Sequence, residues 1–362
     1  MRVFCITADP DRPTIATFAG LRNAGVEMTV ACQPVRGVHE TLRAAGVTVF
    51  DLSFKGQIDR EAIAKLRGEL ERGRYDILHL FSNRALQNGL IAARGLPVRI
   101  VTYRGIVGNL SFFNPVSWMR FLNPRIDRIV CVCDAVRDYF LGMHPAFLRL
   151  PASRLVRIYK GHSLDWYRAE PADLAGFGVP AGAFVVSVVA NYRPRKGFEV
   201  LVEALERLPR ELGVHLVIVG RIDNRRFERR VAASPSADRI HCLGNRSDAP
   251  ALAAASNVFV LPSTRREGLA RSLIEAMAYA RPCVVTDCGG SPELVVDGES
   301  GIVVPVRDPE AIAAAIKKLI ADPDLRRRLG AAARERIRTH FRIEDTIEQT
   351  LAMYRSLVAG NR

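Results

Sequence analysis

Two glutamates, Glu267 and Glu275, stand with seven residues between them in LPSTRREGLARSLIEAMAYARPCVVTDCGGSPELVVDGESG, residues 261–301. Carboxylates accept hydrogen bonds from hydroxyl groups, so a spaced pair suits a polyol. Glu267 follows a Pro/Ser/Thr/Arg cluster, the composition of a loop. Glu275 falls within SLIEAMAYA, whose apolar residues recur at helical spacing. Gly268, Leu269 and Ala270 then lie at the helix entrance. Small residues there leave backbone N–H groups unblocked, and a helix N-terminus favours an anion. An apolar strand is expected over 282–286, followed by a second small-residue turn at Gly289 and Gly290. The stretch reads as a pocket for a phosphate and a polyol.

A second set of charges points the same way. The segment AFVVSVVANYRPRKGFEVLVEAL reads as a buried strand, a turn and a helix from about Gly197. Arg193 and Lys196 flank that helix entrance, where a cation pair suits a diphosphate. The plainer reading is two solvated loop charges.

These loops need a scaffold to hold them. Apolar strands are expected over 3–7, 27–31, 47–51, 77–80, 98–103 and 128–133, with helices such as 59–71 and 85–93 between them. Further strands follow over 215–219, 240–243 and 258–261, and amphipathic helices over 308–321, 324–339 and 343–358. Apolar strands alternating with helical crossovers form parallel sheets covered on both faces, an α/β architecture. Ligands of such sheets bind beyond the carboxyl ends of the strands. That places His79 at one strand end and Arg104 at another among the candidates. At 362 residues the chain is long enough for two domains. The loop after the first strand, ADPDRPTIATFAGL, lacks Gly-x-Gly-x-x-Gly, which argues against a nicotinamide or flavin enzyme.

The ordered run of Pro262-Ser263, Glu267-x7-Glu275 and Gly289-Gly290-x-x-Glu293 resembles the donor site of the retaining glycosyltransferases of family 4, and the resemblance covers nearly the whole chain. It implies the GT-B fold, two Rossmann-like parallel-sheet domains facing a deep cleft. The expected division is an acceptor domain over 1–168, joined by a returning helix over 343–362. A linker over 169–182 and a donor domain over 183–342 complete it. By the same resemblance Glu267 contacts the hydroxyls of the donor sugar and Glu275 holds the ribose. Gly268, Leu269 and Ala270 offer amides, and Arg193 and Lys196 neutralise the leaving diphosphate. The turn Gly244-Asn245-Arg246 lies near the nucleotide base. The chain departs from the family pattern in three places: the first loop lacks the usual glycine pair, Arg104 in VTYRG stands where a histidine is common, and Lys160 and His162 flank Gly161 in place of the usual Asn-Gly-Val-Asp. Lys160, His162, His79 and Arg104 are therefore candidate acceptor residues. Arg104 reads either as a ligand for a phosphate or anionic acceptor group, or as a surface arginine. His79 reads better as a satisfied strand-end histidine than as a catalytic one.

The implied reaction moves a hexose-type sugar from a nucleotide diphosphate sugar to a glycan or lipid-linked acceptor in cell-surface polysaccharide or lipopolysaccharide synthesis. A uridine diphosphate sugar is favoured on frequency in the family. No His/Cys cluster occurs, and no metal or other cofactor is expected. A nucleotide-sugar epimerase of the same fold and a non-catalytic regulatory relative are the alternatives.

Charge and hydropathy bear on location. The formal net charge is +14, mostly from arginine spread along the chain, which suits a phosphorylated substrate or an anionic leaflet. A nucleic-acid partner is not expected, because no known binding module accompanies the charge. The stretch SFFNPVSWMRFLNPR, 111–125, is the most aromatic in the chain. Phe112, Phe113, Trp118 and Phe121, interleaved with arginine, suit a membrane interface, and a core helix is the other reading. Seven scattered cysteines match neither a zinc site nor a disulfide scaffold and read as reduced core thiols. With no signal peptide and no apolar run long enough to span a bilayer, a cytoplasmic protein peripheral to the inner membrane face is expected.

Overall fold

The computed structural model describes residues 1–35, 37–143 and 149–360. The chain divides into two compact units, one formed by Met1–Gly161 with the chain from Arg342 onward, the other by His162–Phe341.

The first unit is built on a seven-stranded parallel sheet. Its strands are β1 (Arg2–Ile6), β2 (Glu27–Cys32), β3 (Thr48–Asp51), β4 (Ile77–Leu80), β5 (Arg99–Arg104), β6 (Arg128–Cys131) and β7 (Leu155–Arg157). They lie in the order β3-β2-β1-β4-β5-β6-β7. The inner strands are largely buried on both faces, as β4 is at every residue, which explains their mostly apolar character. Polar side chains start the intervening helices. Asp11 accepts from the Thr14 amide at the head of the helix Arg12–Asn23, and Ser82 accepts from Ala85 at the head of Asn83–Ala92. The helix Ile343–Ala359 buries Met353, Tyr354 and Leu357 in the same core as Val3, Cys5 and Ile77. Residues 361 and 362, the end expected for this helix, lie outside the described residues.

The second unit carries a six-stranded parallel sheet, in the order β10-β9-β8-β11-β12-β13. Its strands are β8 (Phe184–Val189), β9 (Val214–Val219), β10 (Ile240–Cys242), β11 (Val258–Leu261), β12 (Cys283–Thr286) and β13 (Ile302–Val304). Both sheets thus have the Rossmann-like order, and in each the direction of winding reverses once, between β1 and β4 and between β8 and β11. The carboxyl ends at such a reversal open a crevice for ligands.

Residues 169–182, expected as a linker, are instead part of the second unit. Leu174 and Val179 are buried against Val217, Val219 and Leu252, and the Ala172 amide donates to Ala251 O at 3.1 Å. Apolar residues scattered among Ala, Gly and Pro give this segment enough surface to pack without forming a strand. Residues 162–168, expected in the first domain, also belong to the second unit. Tyr167 is buried there with its ring 5.8 Å from that of Tyr279. Six of the seven cysteines are buried, and Cys242 in β10 is exposed, contrary to a core position.

Candidate donor site

The winding reversal of the second sheet brings two loops together. One leaves β8 and turns through Pro194–Lys196; the other leaves β11 and runs to Ala270. The Thr264 amide donates to Arg195 O at 2.8 Å, closing the two loops on each other. Gly197 permits this approach. Its φ is +71°, and a Cβ there would meet Pro262 O at 1.9 Å.

At this junction Lys196 reaches Glu267. The ammonium donates to Oε2 at 2.8 Å and to Oε1 at 3.1 Å, and the Ser263 hydroxyl donates to Oε2 at 2.6 Å. Glu267 is 5% exposed, so its charge is satisfied by these partners and not by water. Ser263 is fixed in turn by Thr286 at the end of β12, whose hydroxyl donates to Ser263 O at 2.5 Å. Gly289 lies against the same loop. With φ at +56°, its Cβ would stand 2.0 Å from Glu267 O, and the Gly290 amide donates to that oxygen at 3.3 Å. Burial pushes the Cys288 thiol, just before this turn, above its ordinary range.

Beyond Glu267 the chain enters the helix Arg271–Ala278 with no side chain capping it. The amides of Gly268, Leu269 and Ala270 make no hydrogen bond among the described residues. The site therefore combines open backbone donors, a lysine and a fixed carboxylate at the crevice of a parallel sheet. This combination suits an anion joined to a polyol.

Comparison with known proteins follows that chemistry. The family model for glycosyl transferases group 1 matches residues 171–336, and that for glycosyltransferase family 4 matches 15–166. The chain is 33% identical to the lipopolysaccharide core biosynthesis glycosyltransferase LpsE of Rhizobium meliloti, over 92% of each chain. The chain is a family 4 glycosyltransferase. A second relative of this glycosyltransferase is the lipopolysaccharide core biosynthesis mannosyltransferase LpcC of Rhizobium leguminosarum, 30% identical over 68% of this chain and 69% of that one. Among solved structures, Anabaena HepE in complex with UDP-glucose superposes with a TM-score of 0.80 at 22% identity, covering 98% of this chain and 99% of that one. A glycosyltransferase from Rickettsia africae gives 0.82 at 19% identity, covering 99% and 98%. These likenesses give the glycosyltransferase its GT-B fold.

The other expected residues of the glycosyltransferase are placed variously. Glu275 lies in the helix Arg271–Ala278, with its carboxylate 3.3 Å from Arg271. Arg193 is exposed and donates to Tyr192 O at 2.8 Å; it does not join the Lys196–Glu267 pair. Gly244 and Asn245 form the expected turn after β10, with Gly244 at φ +69°. Arg246 is engaged by Asp248 through two bonds of 2.8 Å and lies over the Phe177 ring. That hydrogen bonding, more than its charge, holds Asp248 below the usual carboxylate range.

In the first unit Arg104 is neither a surface arginine nor open to an anionic group. It is buried, its Nε donates to Ile106 O at 3.0 Å, its Nη2 donates to Gly108 O, and its guanidinium lies over Phe121. The side chain braces the loop that follows β5. Lys160 pairs with Asp11 at 2.7 Å. Burial works to raise Asp11, but the Lys160 charge and hydrogen bonds from Lys160 and Thr14 outweigh it and hold the carboxyl low. His79 is buried with Nδ1 at 2.6 Å from the Tyr354 hydroxyl. His162 belongs to the second unit and is also buried, its Nδ1 2.5 Å from the Tyr167 hydroxyl and its amide on Phe341 O at 2.7 Å. The side chain thus holds the turn that follows it.

The aromatic stretch splits between the two readings given for it. Phe112 and Phe121 are buried and cannot meet a membrane, whereas Phe113 is 81% exposed and Trp118 and Met119 are exposed beside it. Only the four residues Pro115–Trp118 are helical, so no core helix forms here.

Two contributors escape local reading. Thr286 acts through a strand pairing, and Arg336 reaches from the helix Pro323–His340 to cap Glu293 O and Leu294 O, both at 2.8 Å. No helix among the described residues is long and apolar enough to cross a membrane, and no group of three or more His, Cys, Asp or Glu there could hold a metal ion.

Proposed function

We propose that the chain transfers a hexose-type sugar, with retention of configuration, from a nucleotide diphosphate sugar to a glycan or lipid-linked acceptor of the cell surface. The observation that carries this reading is the Lys196–Glu267–Ser263 cluster beside the open amides of Gly268, Leu269 and Ala270. Breaking the bond to the diphosphate places positive charge on the sugar and negative charge on the leaving phosphate. Lys196, with Arg193 swinging from its exposed position, and the three amides stabilise that negative charge as preorganised donors. Glu267 accepts from the sugar hydroxyls and Glu275 from the ribose, while the turn at Gly244, Asn245 and Arg246 meets the base through backbone groups. Because cations and amides supply the stabilisation, transfer proceeds without a metal.

UDP is the favoured nucleotide, supported by the shared fold of a neighbour solved with UDP-glucose. A lipopolysaccharide-type acceptor is supported by the relatives LpsE and LpcC. Exposed Phe113, Val116, Trp118 and Met119 give the first unit an apolar patch that sits at an anionic membrane surface. Incubation of the protein with UDP-glucose, UDP-N-acetylglucosamine and GDP-mannose in EDTA, followed by proton NMR, tests the donor chemistry. Slow release of sugar from one donor, first appearing as the donor's own anomer and absent in Glu267→Gln, is the expected result. First appearance of the opposite anomer contradicts retention, and dependence on added magnesium contradicts the metal-free clamp.

A further inference from the structure

Two histidines stand behind the turn that follows β10. His215 lies in β9 and His241 in β10, both half-buried, with ring centroids 5.2 Å apart. His241 is in register with Val217, two residues on from His215, so the two imidazoles share one face of the sheet. Val217 packs there against Leu174, Val179 and Phe177. His215 Nδ1 stands 2.9 Å from His241 Nε2, and the Phe177 backbone carbonyl takes the other side of the His241 ring. A carbonyl only accepts, so His241 carries its proton on Nδ1, its Nε2 accepts, and His215 Nδ1 donates. The hydrogen bonds run one way, from His215 through His241 to Phe177.

Phe177 carries this chain to the turn at Gly244, Asn245 and Arg246. Its ring lies under the Arg246 guanidinium, 4.8 Å away, and Asp248 holds the same guanidinium. Gly244 is tied separately, its carbonyl accepting from the Gly220 amide at 2.7 Å. Phe177 ends a single helical turn, Ala175–Phe177, in which Ala175 and Gly176 are exposed, as is Gly178 after it. So short a turn is weak by itself. The bond from His241 fixes the carbonyl at its tip, and with it the ring under Arg246.

We propose that His215 and His241 are positioning residues for the donor nucleotide: through Phe177 and Arg246 they set the turn that meets the base. The proposal rests on the reading that this turn meets the base. It makes donor affinity depend on the charge of the pair. Burial is the main cause that lowers both imidazoles. His241 and Arg239 lower His215 further and Asp238 opposes them, while the Phe177 carbonyl opposes the shift on His241. Arg210 and Glu211 stand beyond Arg239. Arg246 and Asp248 do not compete, because their mutual bonds hold the one high and the other low. The closed pair therefore binds protons more weakly than an opened one. Closure is fully favoured above about 6.5, the ordinary imidazole value, and weakens as the pH falls below it. A second proton would also set two N–H groups against each other.

Calorimetric binding of UDP-glucose to the full chain at pH 8 and pH 5.5 tests this. Its diphosphate is esterified at both ends and keeps one charge state over that range. Wild type should bind several-fold more weakly at pH 5.5, with about tenfold the limit for one imidazole that stays unprotonated in the bound form. His215→Gln should match wild type at pH 8, because its amide N–H donates to His241 Nε2. It should lose less affinity at pH 5.5, because the same amide turned over accepts from a protonated His241. His215→Leu, which leaves His241 Nε2 without a donor, should bind more weakly already at pH 8, with a cooperative melt showing that it is folded. An acid loss in His215→Gln equal to that of wild type overturns the proposal, as does His215→Leu binding as tightly as wild type at pH 8. Absence of wild-type binding at pH 8 is a different failure, since it removes the nucleotide site itself and this support with it.

Discussion

Lowering the pH from 8 to 5 should cost the first unit about 2 kcal/mol of stability through a single side chain, His79. Burial pushes its folded-state pKa down to about 3, while an unfolded histidine titrates near 6.5. The folded pKa is the lower one, so the stabilisation is fully present above about 6.5 and is lost as the pH falls toward about 3. At pH 5 the unfolded imidazole gains a proton that the folded one refuses, which favours unfolding by a factor of about 30, or about 2 kcal/mol. Its neighbours do not blur the window. Cys5, Tyr103 and Tyr354 are pushed up by burial and stay neutral, and Asp11 is held low and stays charged. The chain's two tryptophans make the measurement separable, since Trp118 reports on the first unit and Trp166 on the second. In a Trp166→Phe background, urea unfolding followed by Trp118 fluorescence should show a larger loss between pH 8 and 5 than the same protein carrying His79→Leu. The difference isolates His79 from every other titrating group. An equal loss in both proteins would refute the neutral buried imidazole.

Three further outcomes follow from the geometry. A double-mutant cycle on Lys196→Met and Glu267→Gln, read by urea unfolding of the second unit, should give a coupling of roughly 1.5–3 kcal/mol, the range for a hydrogen bond to a charged group. A coupling near zero would mean that the pair does not form. Gly289→Ala places a methyl against Glu267 O in a left-handed conformation, so the second unit should lose more than about 1 kcal/mol and nucleotide affinity should fall with it. Unchanged affinity by calorimetry would separate this turn from the site. Replacing Phe113 by serine should weaken co-sedimentation with anionic phospholipid vesicles without lowering the melting temperature, because its side chain is 81% exposed; vesicle binding equal to wild type would remove the membrane patch.

Much of the fold was legible because both sheets are parallel and buried. Strands such as Val258–Leu261 are continuous apolar runs between turn signals, and the helices between them carry a clear apolar face. The edge strands Leu155–Arg157 and Ile302–Val304 were not, although the equally short Ile240–Cys242 was. The junction of the two loops was marked in the sequence by Gly197 and Gly289, where a Cβ would stand 1.9 to 2.0 Å from a backbone oxygen and only glycine fits. The partner of each charge was not. Nothing near Arg104 in sequence shows that its guanidinium turns back onto its own loop, and nothing near His162 points to Tyr167 over an exposed ligand. Long-range partners such as Arg336 and Tyr354 become neighbours only once the sheets have formed.

The central claim is a nucleotide-binding donor site in the second unit, and its most direct test is thermal unfolding of a Trp118→Phe background, followed by Trp166 fluorescence, in the presence of UDP, GDP and ADP, all in EDTA. A ligand that binds only the folded state at about 100 times its dissociation constant adds about 2.7 kcal/mol, which for a unit of this size is a rise of roughly 5–10 °C. The account predicts such a rise with UDP, and its loss in Lys196→Met. No rise with any of the three nucleotides, or an undiminished rise in Lys196→Met, would contradict it.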